Sequence, residues 1–145
     1  MGYTHYWRFT PTASKKNFLK AMILCEKIVA IVQAKDHILA NGMGEIGTDP
    51  IINGDKLIFN GIGEEAHETF CLDINNMQDF DFCKTAQKPY DKIVVACLAV
   101  LQRVMGKDVK VSSDGDEKDW TEGRQLAKQI LGFLPAVPAE VKRRS

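Results

Sequence analysis

The segment from Ile93 to Met105 is apolar on nearly every side of a helix. A helix without a polar face cannot lie on a surface, so other elements must enclose it on several sides. This segment is therefore predicted to be the central buried helix of a layered domain. Its ends are marked too. Pro89 suits a first helical turn, Asp91 suits the positive end of the helix dipole, and Gly106 suits a stop.

The rest of the chain must supply the enclosure. From Tyr3 to Thr10, Tyr3, His5, Trp7 and Phe9 alternate with Thr4, Tyr6, Arg8 and Thr10, which is a strand pattern, and Pro11 ends it. Thr12 and Ser14 are cap candidates for a helix whose stripe is Phe18, Met22, Cys25, Val29 and Val32. A short strand is expected at Ile38-Leu39. Asn53-Gly54 is a hairpin signal joining Pro50-Ile51-Ile52 to Lys56–Phe59, and Asn60–Gly63 reads as the next turn. His67 to Asp73 alternates as a third antiparallel strand, with Phe82 to Thr85 and Val109 to Ser113 as further strand candidates. Asp119 with Glu122 suggests a capping box for a last helix ending at Leu131, with Gly132 behind it.

The order implies an α+β fold, an antiparallel sheet of four or five strands packed against two or three helices. Residues 1–132 would form a single domain. Residues 133–145, which carry Pro135 and Pro138, would be a loosely ordered tail.

Composition narrows the function classes. Nineteen basic residues balance nineteen acidic ones in 145, so no global field draws the chain to nucleic acid or membrane. Lys142-Arg143-Arg144 reads as solvated tail, and nucleic acid is not an expected partner. No charged-then-apolar leader stands at Met1–Thr10 and no window is apolar enough to span a bilayer, so a soluble cytoplasmic protein is expected. The four cysteines show no C-x-x-C spacing, which argues for buried free thiols over zinc. The glycines of Asn41–Gly47 lack the Lys-Ser/Thr of a phosphate loop, and no motif calls for a cofactor.

The candidate site residues are polar and aromatic groups at the ends of these elements. Lys84, Thr85 and Lys88 precede the central helix, whose N-terminus favours an anion, so together they form a candidate phosphate site. Phe82, Tyr90 and Tyr6 are candidates to stack on a base. His5 and His67 could serve as polar contacts or as an acid–base pair, although a hydrogen-bonded structural histidine is the commoner case. Asp114 could accept from a sugar hydroxyl or simply make an Asx turn. Cys83 beside Lys84 is a minor candidate for an activated thiol. No serine-hydrolase, zinc-protease or dinucleotide motif is present.

Four blocks carry a resemblance: Tyr3–Trp7, Phe59–Gly61 with Glu68–Phe70, Phe82–Asp91, and Val111–Gly115 with Asp119-Trp120. They resemble an uncharacterised small-protein family of tailed phages, giant viruses and some bacteria. The likeness spans about Gly2 to Leu131, and the family commonly has Arg where this chain has Gln87. By class, such a protein is similar to the anti-defence sponges that sequester nucleotide signals of bacterial immunity. The resemblance thus implies a viral counter-defence protein in the cytoplasm of an infected host. It would bind a phosphate-carrying, nucleotide-derived signal without cleaving it, in a pocket closed by a second copy in a homodimer or higher homo-oligomer. The alternatives are a small nucleotide-directed enzyme using histidine as acid–base, and an interaction module that blocks a host effector.

Overall fold

In the computed structural model, which describes residues 2–143, the apolar segment forms helix α2 (Asp91–Met105) at the centre. Helices α1 (Lys15–Lys35) and α3 (Thr121–Leu131) pack on it from two sides. The side chains from Ile93 to Leu101 are all buried, as a helix without a polar face requires. Gly106 ends α2 with φ 57°. Ser14 caps α1 by accepting from the Asn17 N–H at 3.1 Å, while the expected Asp119 cap of α3 does not form. The Asp119 carboxylate instead accepts from the Asp116 N–H at 3.0 Å, closing the preceding turn.

The α+β class holds, with the strands divided between two antiparallel sheets. The first has β1 (Thr4–Phe9) in the middle, flanked by β6 (Asp81–Lys84) and β7 (Val109–Ser113). The second is built on β4 (Lys56–Gly61), which pairs with β2 (Leu39–Ala40), β3 (Ile51–Ile52) and β5 (Phe70–Asp73). The Asn53-Gly54 turn sets Ile51 opposite Ile58 and Ile52 opposite Leu57. Rings join the sheets: Trp7 of β1 meets Phe70 of β5 at 5.3 Å, and Phe70 meets Phe59 of β4 at 5.1 Å.

Two expectations change. Asn60-Gly61 is not a turn but the end of β4. The buried Asn60 side chain takes N–H groups from Gly61 and His67 and donates to the carbonyls of Gly42 and His67, so it replaces missing backbone pairing. Residues 133–143 are not loose. Val137 and Val141 are buried, and Lys142 lies in a parallel bridge with Asp116. The segment turns at Pro138, where the Val141 N–H donates to the Pro138 carbonyl at 2.9 Å, while Arg144 and Ser145 lie outside the described residues.

Candidate functional site

The first chemical constellation is buried between β1, β7 and the start of α2. His5 points inward from β1, fully enclosed, with Nε2 2.6 Å from Asp91 Oδ1 and Nδ1 2.8 Å from Ser113 Oγ. The Asp91 carboxylate can only accept, so Nε2 donates to it, and Nδ1 has the Ser113 hydroxyl as its partner. Asp91 Oδ1 also accepts from Thr85 Oγ1 at 2.5 Å, and Ser113 Oγ accepts from the Gly115 N–H at 2.9 Å. Serine, histidine and aspartate thus form one relay. Around it stand Tyr3 and Trp120, both edge-on to the His5 ring, at 5.2 and 5.8 Å. Trp120 Nε1 is buried without a hydrogen-bond partner, and Tyr3 Oη is buried beside Ser113 outside full hydrogen-bond geometry. Burial, then the charges of Asp91 and Asp119, push the Tyr3 phenol well above its ordinary value, against an opposing effect of Ser113.

The second feature is an open cleft of about 580 Å³ where two helices begin. One wall is Gln87, Lys88, Pro89, Asp91 and Lys92 at the start of α2; the other is Lys118, Asp119, Thr121 and Glu122 at the start of α3. Neither helix has a side-chain cap. Two positive dipole ends and three ammonium groups therefore face the same space as three carboxylates. Asp91 belongs to both features, since its side chain is 15% exposed at the cleft wall while its Oδ1 meets His5.

The turn that carries Lys88 is held in an unusual shape. The Tyr3 carbonyl accepts from both the Thr85 and Ala86 N–H groups, at 3.1 and 3.2 Å. Ala86 and Gln87 follow with φ of 52° and 56°. Consecutive left-handed non-glycine residues carry a cost of about 1–3 kcal/mol each, so the surrounding contacts impose this turn.

The nine expected site residues do not share a cavity. Only Lys88 lines the cleft. Thr85 is buried with its hydroxyl spent on Asp91, and Tyr90 is a fully buried core ring whose hydroxyl donates to the Glu68 carbonyl at 2.6 Å, so neither can take phosphate or base. His5 is enclosed, and His67 is exposed on the loop before β5, so they do not work as a pair. Lys84 lies over Gly2, with its N–H donating to Glu68 Oε1 at 2.6 Å. Phe82 and Tyr6 face outward from β6 and β1. Asp114 accepts from the Thr4 N–H and the Tyr6 hydroxyl. The activated-thiol reading of Cys83 is also overturned, because burial pushes its pKa up to about 12.

Sequence reasoning missed Lys92 and Lys118 as site members, and saw Asp91 only as a helix-dipole residue. A second, more apolar groove of about 770 Å³ lies between the end of α2 and the C-terminal segment, lined in part by Phe133, Leu134 and Pro138. It contains none of the expected residues. No helix among the described residues is long and apolar enough to cross a membrane. No family model, curated protein or solved structure matches the chain.

Proposed function

We propose that the chain binds a small phosphorylated molecule in the cleft between the starts of α2 and α3, without altering it. The observation that carries this reading is the convergence there of two uncapped helix N-termini with Lys88, Lys92 and Lys118. The neighbouring Asp91, Asp119 and Glu122 suit a ligand that also offers hydroxyl or amino donors, as a sugar phosphate does. No aromatic side chain lines the cleft, so charge and hydrogen bonds, not stacking, provide the affinity. A nucleotide-derived immune signal sequestered by a viral protein is the form of this reading to which the sequence resemblance points.

The test is calorimetry with cyclic dinucleotides, cyclic ADP-ribose isomers and pyrophosphate, on the parent and on a Lys88→Glu/Lys92→Glu double variant. Binding by the parent that the double variant loses supports the reading. Absence of binding to every one of these anions, or equal binding by the folded variant, overturns it.

A second reading rests on Asp91 itself. A carboxylate that faces the cleft with His5 and Ser113 behind it has the makings of a general base. The same incubation separates the two: a binding protein returns its ligand intact after heat denaturation, whereas an enzyme returns product.

A further inference from the structure

We propose that the groove between the end of α2 and the C-terminal segment binds an amphipathic anion, an alkyl chain carrying one carboxylate. The groove measures about 770 Å³, a size ordinary for small-ligand sites. Val109, Val137 and Pro138 are the buried part of its lining. Phe133 and Leu134 line it too, yet they stay 41% and 42% exposed. The apolar surface is therefore shaped and only half covered by the fold itself.

The hydrogen-bonding groups of the lining decide between a chain of methylenes and a peptide. Gln102 Nε2 donates to the Gly106 and Val109 carbonyls at 2.9 and 2.8 Å, and Gln102 Oε1 accepts from the Val111 N–H at 3.0 Å. The Val137 carbonyl accepts from Arg143 at 3.3 Å and the Pro138 carbonyl from the Val141 N–H at 2.9 Å. Proline has no N–H to offer. A peptide laid here would bring its own N–H and C=O groups out of water against partners already spent, which is costly. An alkyl chain brings no such groups and gains from every methylene it buries.

Charge in the lining fixes the head group. Three cations, Arg103, Lys107 and Lys110, stand against one carboxylate, Glu140. Glu140 reaches Lys110 at 3.8 Å, an exposed pair that contributes little. The Arg103 guanidinium lies 4.9 Å from the Phe133 ring centre, and a stacked guanidinium keeps its N–H edge for an acceptor. Lys107 has no carboxylate partner among the described residues. Its neighbour Asp108 is engaged at the start of α1, where it accepts from the Ser14 N–H at 3.0 Å. The negative end of the α2 dipole opposes an anion here, but Arg103 in the last turn offsets it and Gln102 occupies the Gly106 carbonyl. Arg8, opposite Lys110 across the β1–β7 pair, adds to the positive side. One negative head group is the complement of this excess. A second copy of the chain is a poorer occupant, because self-pairing would press the same cations together.

The experiment is calorimetry with decanoate below its micelle-forming concentration, with decanol and acetate as the chain-only and head-only comparisons. Two-dimensional amide NMR places the ligand. Leu134 and Lys107 are exposed, so Leu134→Gln and Lys107→Glu should stay folded, which circular dichroism checks. The expected result is one decanoate per chain, with shifted amides at Gly106, Lys107 and Ala139, and no measurable binding of acetate. Leu134→Gln should weaken decanoate and decanol alike, by about fivefold. Lys107→Glu should weaken decanoate by about threefold or more and leave decanol unchanged. The Lys88→Glu/Lys92→Glu variant should bind decanoate like the parent, which separates this groove from the cleft. Absence of decanoate binding, several molecules per chain with loss of the dichroism signal, or decanol binding as tightly as decanoate would overturn it. So would indifference to either groove variant, shifts confined to the cleft, or tighter binding of an acidic apolar peptide.

Discussion

His5 Nε2 sits 2.6 Å from Asp91 Oδ1, tying the first strand to the first turn of the central helix. Because Thr85 donates to the same oxygen, one carboxylate fastens three separate parts of the chain. Removing it leaves two enclosed donors without an acceptor. An Asp91→Ala variant should therefore lose about 2–4 kcal/mol of stability, read as a lower urea midpoint. Asp91→Asn keeps an acceptor oxygen in place and should lose distinctly less. Equal midpoints for Asp91→Ala and the parent would mean that the relay contributes nothing to the fold.

The approach of α3 to α2 gives a second prediction, at Gly123. Alanine is a better helix former than glycine by about 1 kcal/mol, so propensity alone favours Gly123→Ala. A methyl there, however, would meet the Val95 side chain, with Val95 Cβ at 2.6 Å and the Ala96 backbone nitrogen at 3.0 Å. Backbone cannot swing aside as a flexible side chain can. Overpacking costs about 1–3 kcal/mol and should outweigh the propensity gain, so the thermal midpoint falls. A higher midpoint would show that the helices can part without loss.

Much of this architecture was legible in local pattern, and much of the site was not. The apolar faces of Ile93–Leu101, the α1 stripe and the Asn53-Gly54 turn are short-range signals, and each became the expected element. The relay joins residues 86 and 108 positions apart in sequence, where no spacing rule reaches. The grouping of Lys84, Thr85 and Lys88 into one site came apart for a related reason. Lys84, Thr85 and Lys88 are neighbours in sequence, but the strand sends alternate side chains to opposite faces and the left-handed turn at Ala86-Gln87 then redirects the chain. Phe82 and Tyr90 were equivalent as aromatic letters; only burial separates an exposed ring from a core one.

That separation makes the cleft testable against the original site. Lys92→Glu removes a cation from the cleft and places a carboxylate there. Anion affinity should fall roughly tenfold or more, since a charge-assisted hydrogen bond becomes a like-charge contact. Lys84→Glu should leave cleft binding unchanged, because Lys84 lies outside its lining. Calorimetry on the pair decides, and loss in Lys84→Glu with none in Lys92→Glu would return the site to the strand end.

Alkaline pH should unfold the protein sooner than its surface chemistry would suggest. Burial raises the Cys83 thiol from an ordinary 9.0 to about 12, and raises the Tyr3 and Tyr90 phenols well above 10.0. The folded chain then holds these protons at pH values where the unfolded chain has released them. Stability contributed by the neutral groups is complete below about pH 9 and is lost as pH climbs through the folded values. Urea midpoints should fall from about pH 9 upward. Tyr6, at the surface, should be the first phenol to ionise in an absorbance titration. A flat midpoint between pH 9 and 11 would contradict the burial of these groups.

The C-terminal segment supplies the last prediction, because its prolines argued for disorder and its contacts argue otherwise. Val137 and Val141 are 3% and 2% exposed, and burying a valine contributes about 1.5 kcal/mol or more. Polar contacts align the segment: Arg124 donates to the Pro135 carbonyl at 2.8 Å, and the Glu117 N–H donates to the Lys142 carbonyl at 2.8 Å. The Arg143–Glu117 pair at 3.5 Å is largely exposed and adds little. A chain ending at Gly132 exposes the surface under both valines and leaves Arg124 without its acceptor. It should unfold at a markedly lower urea concentration, by about 3 kcal/mol or more, with its smaller buried surface also lowering the slope. A loosely attached tail would leave midpoint and slope as they are, so one denaturation curve distinguishes a packed strap from a dispensable extension.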